Sequence, residues 1–198
     1  MSRTPPETDG PVPRLYLVAP SAVAAINEAA RHADIAAVLL KPGAGDLGPL
    51  VAAVRAAGAA CLIEGDVALA DRLGADGAHL DGPAALKAAL PALRPHGIAG
   101  AGGLRSRHEA MTAAELGADY VMFGELDAAG RRPDLDTVAE RISWWQPIFE
   151  VPCVGYAESR SEAEALIAAG ADFIAVGGPL LEDAASLAAL APLRAGVR

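Results

Sequence analysis

The sequence predicts a single small, compact (β/α)8 barrel of the TIM-barrel class, and three observations lead there. Short β-rich runs alternate with alanine-rich stretches whose apolar residues recur about every 3.6 positions, the pattern of parallel strands joined by crossover helices. Gly-Ala-Asp recurs at 74–76, 117–119 and 170–172, each time closing a helical stretch and leading into an even-numbered strand. Glycine ends a helix in a left-handed cap, so the recurrence marks repeated double βα units. Finally, 198 residues, 53% hydrophobic but only 4% aromatic, suit one domain whose interior is built from Ala, Val, Leu and Ile under helices. The alternative, an open doubly wound sheet, would use fewer strands and a long edge connection.

In chain order, residues 1–13 are proline-rich and acidic, lack the apolar core of a secretory signal, and read as a loose tail before a barrel over 14–198. The first strand is RLYLVAP (14–20), followed by the helical stretch SAVAAINEAARHA (21–33). AAVLLKP (36–42) and AACLIEG (59–65) are apolar runs closed by Pro or Gly, as buried parallel strands should be. GAHLDG (77–82) and GIAGAGG (97–103) are strands four and five, and SRHEAMTAAELG (106–117) is the helix behind the latter. YVMFGE (120–125), PCVGYA (152–157) and FIAVGG (173–178) complete the eight. SEAEALIAAG (161–170) supplies the last crossover, and LLEDAASLAAL (180–190) closes the ring.

Composition excludes some functions. A net charge of −9, with the 16 basic residues scattered, leaves no electrostatic footprint for nucleic acid. No apolar run approaches the roughly 20 residues of a bilayer span. Cys61 and Cys153 each sit inside an apolar run without a second ligand at metal spacing, as buried thiols of a reducing cytoplasm do.

Barrel chemistry sits where strands end and the following loops begin. Those positions hold Lys41 after strand two, Glu64 and Asp66 after strand three, and His79 and Asp81 at strand four. Gly103 and Arg105 follow strand five, Glu125, Asp127, Arg131 and Arg132 follow strand six, and Tyr156 and Glu158 mark strand seven. Gly177 and Gly178 end strand eight, where a Gly-Gly turn before Pro179 lets backbone amides approach a phosphate, or simply turns the strand into a helix. Glu64, Asp66 and Asp81 offer oxygen ligands for Mg²⁺, or are separately solvated acids. His79 is a packed core histidine or a catalytic one. Arg131 and Arg132 are a phosphate clamp or a charged lid. Gly100-Ala101-Gly102-Gly103 resembles a dinucleotide fingerprint only superficially, because Arg105 occupies the last glycine position. Trp144-Trp145 needs cover, either beneath a loop or in a homodimer contact.

LYLV of strand one, LADRLGADGAHL, HEAMTAAELGADYVMFG and AAGADFIAVGG together resemble thiamine-phosphate synthase and its relative, the thiazole tautomerase, over about residues 14–190. That resemblance implies a cytoplasmic barrel that binds a phosphorylated small molecule. The synthase is a transferase that joins a pyrimidine pyrophosphate to a thiazole phosphate with Mg²⁺ neutralising the leaving group. It also implies roles: Lys41, Glu64, His79 and Arg105 as catalytic residues, Gly103, Arg131, Arg132, Gly177 and Gly178 around phosphate, and Glu64, Asp66 and Asp81 around the metal. The family's strand-two Gln-x-Arg-x-Lys falls on Ala37, Leu39 and Lys41, its Asn-Asp pair on Glu64-Gly65, its strand-five serine on Gly103 and the tautomerase histidine on Arg105. The expectation is a phosphorylated-heterocycle barrel with a degenerate active site. The alternative is a non-catalytic barrel that binds a phosphate metabolite or a protein.

Overall fold

A computed structural model describes residues 14–182 apart from positions 20, 44 and 128. The expected tail over 1–13 and most of the closing helix, from 183 onward, lie outside the described residues. The strands are β1 (Arg14–Val18), β2 (Ile35–Leu40), β3 (Ala60–Glu64), β4 (Gly77–Asp81), β5 (Ile98–Gly102), β6 (Tyr120–Phe123), β7 (Cys153–Ala157) and β8 (Phe173–Gly177). Between them run α1 (Val23–His32), α2 (Gly48–Ala56), α3 (Val67–Leu73), α4 (Gly82–Leu93), α5 (Arg107–Leu116), α6 (Leu135–Trp145) and α7 (Arg160–Ala168), with α8 (Pro179–Glu182) after β8. All neighbouring strands are parallel and β1 pairs with β8, so the sheet closes in the order β1 to β8.

Each strand falls within a residue or two of the run that predicts it. Several stop short because the next residue takes a positive φ: Ala19 after β1, Gly65 after β3 and Gly124 after β6. The Gly-Ala-Asp turns behave as the sequence implies, with Gly74 and Gly117 as left-handed caps of α3 and α5. Their aspartates add something the pattern does not announce. Asp76, Asp119 and Asp172 accept hydrogen bonds from the amides of Cys61, Ala99 and Cys153 at 2.7, 2.7 and 2.8 Å. Each therefore clasps an even strand to the odd strand before it. Helices α5 and α7 both open with Ser-Arg-x-Glu. The Glu109 and Glu162 amides donate to the hydroxyls of Ser106 and Ser159, so an N-cap fixes each helix start just after the strand that feeds the site.

The strand alternation splits the core in two. Leu17, Val38, Ile63, Val121 and Val176 point outward under the helices, where Ile26, Val54, Leu86, Ile142 and Leu166 meet them. Tyr16, Leu39, Leu62, Tyr120, Met122, Val154 and Tyr156 fill the barrel interior. Trp145 is fully buried, stacks on Phe149 at 4.0 Å and donates its indole N–H to Val151 O. Trp144 packs edge-on to Phe149 and under the Arg107 guanidinium. The tryptophan pair thus finds its cover within one chain. Cys61 and Cys153 are free and buried, and burial pushes their thiols up to about 11 and about 12, so they stay protonated. Among the described residues no helix is long and apolar enough to cross a membrane.

Candidate active site

The carboxyl-terminal mouth of the barrel opens into a cleft of about 850 Å³. Lys41, Glu64, His79, Asp81, Gly103, Arg105, Glu125, Asp127, Arg131 and Arg132 line it, as the strand-end reading expects, together with Arg141. Gly177, Gly178 and Asp66 are not among its lining residues.

A chain of short hydrogen bonds runs up from the barrel interior to the cleft floor. The Tyr16 and Tyr120 hydroxyls are 2.7 Å apart, and Tyr120 Oη lies 2.7 Å from His79 Nδ1. His79 Nε2 lies 2.7 Å from Glu125 Oε1, and the Gly103 amide donates to Glu125 Oε2 at 2.9 Å. Sheet register makes this geometry possible. His79 pairs with Gly100, and Gly100 with Tyr120, so the three lie at one level across β4, β5 and β6. A Cβ on Gly100 would overlap the Tyr120 ring, and one on Gly102 would overlap Glu125 Oε2 and His79 Nε2. The glycines of β5 therefore empty one sector of the interior for a polar chain, which accounts for the glycine-rich run.

His79 is a buried histidine with both ring nitrogens engaged, its side chain only 4% exposed. Both members of the pair line the cleft, and Glu125 is the more accessible, with 20% of its side chain exposed. Burial pushes the Glu125 carboxyl up, but the interaction with His79, together with the Gly103 amide, outweighs it and leaves the group below its usual value. Burial also pushes both tyrosine hydroxyls up, so they act as neutral donors and acceptors.

The rim cations differ in how far they are already engaged. Lys41 Nζ stands 3.4 Å from Glu64 Oε1, with both groups partly exposed. Arg131 folds back onto Asp127, whose carboxylate also gathers the Ala129 and Arg131 amides and so ties the loop after β6 into a compact turn. Arg132 is held by Glu158 at 3.1 Å and Glu162 at 2.7 Å, leaving only Nη1 buried without a partner. It fastens the loop to the start of α7 rather than standing free as a clamp. Arg141 donates to the carbonyls of Leu104 and Arg105, fixing the turn after β5. The Arg105 guanidinium makes no hydrogen bond or ion pair among the described residues.

Three placements depart from expectation. Asp66 is the N-cap of α3, accepting the Leu69 amide at 2.8 Å, so it does not join Glu64 and Asp81. Glu64 is turned to Lys41, and no three acidic, histidine or cysteine side chains converge among the described residues, so Glu64, Asp66 and Asp81 do not gather into one cluster. The Gly103 amide is committed to Glu125 instead of an anion, and its φ of +62° with Asp81 pressed against it explains the glycine. Glu125 and Tyr120 have the roles sequence reasoning missed. The available signal was three polar residues, Tyr16, His79 and Tyr120, at inward strand positions that apolar residues usually fill.

A family model for thiamine monophosphate synthase matches residues 47–180. The thiamine-phosphate synthase of Hyphomonas neptunium is 34% identical over 84% of this chain and 85% of its own length. That of Erythrobacter litoralis is 39% identical over 66% of this chain and 63% of its own length. In fold, the chain is similar to the thiamine phosphate pyrophosphorylase of Pyrococcus furiosus, with a TM-score of 0.75 and 20% identity, covering 93% of this chain and 97% of that one. With the family model spanning more than half of its length, this chain belongs to the thiamine monophosphate synthase family.

Proposed function

We propose that this protein is a cytoplasmic transferase of thiamine biosynthesis that joins a pyrimidine pyrophosphate to a thiazole phosphate. One observation carries the reading beyond family membership: the cleft places Lys41, Arg105 and Arg131 on a rim that they share with Glu64, Asp81 and Asp127, above the carboxylate of Glu125. The reaction separates charge in that direction. The bond between the pyrimidine methylene carbon and the pyrophosphate oxygen breaks with both electrons on oxygen. The thiazole nitrogen then gives its lone pair to the electron-poor carbon, forming the C–N bond of a thiazolium. Cations at the rim favour the departing pyrophosphate, and a fixed carboxylate below favours the developing positive charge. Arg105, the unengaged rim cation, is the first contact for phosphate.

The test is turnover by the purified protein, in buffer containing Mg²⁺, of the two substrates to equal amounts of thiamine phosphate and pyrophosphate. A second reading has its own support: Ala37 and Leu39, which stand where the family places Gln and Arg, are buried in the barrel interior and offer a ligand no polar group. A non-catalytic binder would be stabilised against heat by thiamine-pathway phosphates without turning them over. Neither turnover nor stabilisation would discard both readings.

A further inference from the structure

Histidine–carboxylate pairs usually present the imidazole to the ligand and hide the acid behind it. Here the order is reversed, since of these two cleft-lining groups the imidazole is only 4% exposed and the carboxylate side chain 20%. The directions of the hydrogen bonds can be counted. If the ring carries its proton on Nε2, that N–H donates to Glu125, Nδ1 accepts from the Tyr120 hydroxyl, and Tyr120 accepts from Tyr16; every proton in the chain has an acceptor. If Nδ1 carries a proton, it donates to Tyr120, Tyr120 must donate to Tyr16, and the Tyr16 hydroxyl has no second partner among the described residues. Tyr16 is 2% exposed, so water does not readily supply one. Glu125 accepts one hydrogen bond on each oxygen, which leaves acceptor capacity on each, and its side chain is 20% exposed.

We propose that Glu125 is the ligand-facing group of this pair, an oriented anion that receives a cationic nitrogen heterocycle, and that His79, its proton fixed on Nε2 by Tyr120 and Tyr16, is its positioning residue. The heterocycle rests on the function proposed above; the tautomer does not.

Two measurements separate those parts. With His32, His96 and His108 replaced by glutamine, the ring-nitrogen NMR spectrum contains His79 alone. Nε2 should resonate as the protonated nitrogen and Nδ1 as the bare one, and Tyr120→Phe should draw the two signals toward each other as the tautomers mix. A proton on Nδ1 in the parent protein, or signals indifferent to Tyr120→Phe, would overturn the positioning role. The second measurement is calorimetric binding of thiamine monophosphate, whose thiazolium ring is cationic, and of thiazole phosphate, whose ring is not. Glu125→Gln should weaken the first by about tenfold or more, the loss expected for one charge-assisted contact, and the second by less than about twofold. Equal losses would remove Glu125 as the cation's partner while leaving the proposed function standing. If the parent protein binds neither ligand, the proposed function fails, and the NMR result still decides the tautomer.

Discussion

At the amino-terminal end of the barrel, Asp76, Asp119 and Asp172 each accept a backbone amide from the neighbouring strand; at the carboxyl-terminal end, Glu125 accepts the amide of Gly103. The bond is of the same kind and the consequences differ. Each aspartate also sends its own amide to the carbonyl of the residue it clasps, so the contact is a two-point backbone staple, to which Arg94 adds an ion pair at Asp119. Glu125 reaches its partners across the barrel mouth, takes a second bond from a buried imidazole, and keeps part of its surface in the cleft. A carboxylate that ties two strands together through their main chain stabilises the fold. One that takes a buried side chain as a partner and keeps a face open to the cleft becomes available for chemistry.

The contrast can be broken most forcefully with glycines. A Cβ on Gly77, beside the Asp76 staple, would overlap the backbone O and N of Ile98, and no side chain can swing aside to relieve it. Gly77→Ala should cost about 3 kcal/mol of stability in urea unfolding, the upper part of the usual overpacking range. A Cβ on Gly102 meets instead the ends of two side chains, Glu125 and His79. Gly102→Ala should cost only about 1–2 kcal/mol, because those ends can rotate away. It should nevertheless remove ligand binding, since the rotation dismantles the cleft floor. Equal stability losses at the two sites would mean that the carboxyl-terminal end is as rigid as the amino-terminal one.

A smaller effect sharpens the same point. Asp119→Ala strips the Ala99 amide of its acceptor in a part-buried position and should cost about 1–2 kcal/mol. Asp119→Asn keeps an acceptor oxygen and should recover most of that loss. Ligand affinity of the folded protein should be unchanged by either, because the staple lies at the end of the barrel away from the cleft. A loss of affinity in calorimetry at full folding would show that the two ends are coupled.

The legibility of the sequence follows the same division. The strands and the Gly-Ala-Asp staples rest on contacts within one βα unit, and apolar periodicity with glycine punctuation records such contacts locally. The rim could be enumerated too, because topology alone sends Lys41, Glu64, Asp81, Arg105 and Arg131 to one end. What the pattern does not record is pairing between rim groups. His79 and Glu125 are 46 residues apart and the two tyrosines 104 apart; the first pair meets through the register of β4, β5 and β6, and Tyr16 of β1 reaches Tyr120 across the closed barrel. Asp66 was misplaced for the converse reason: its strongest partner, the Leu69 amide, is three residues away, and a local cap outcompetes a distant metal site.

The finest test is the acid limb of stability. The carboxyl of Glu125 is held below its usual value in the folded protein, since the interaction with His79 and the Gly103 amide more than reverse the effect of burial. A group depressed on folding contributes stability that is present above its unfolded value, about 4.3, and is lost as pH falls from there toward the folded value. The cap and loop acids Asp127, Asp134 and Glu162 are depressed as well, so the parent protein weakens on acidification through several groups at once. Glu125→Gln removes only the cleft's share, because glutamine does not titrate. Urea midpoints measured from pH 6 down to pH 3 should therefore show the stability of the variant, relative to the parent, rising as the pH drops below about 4.3. A difference that stays constant across that window would mean that Glu125 gains nothing from ionising beside His79, and its carboxylate would then be no more specialised than the aspartates at the other end of the barrel.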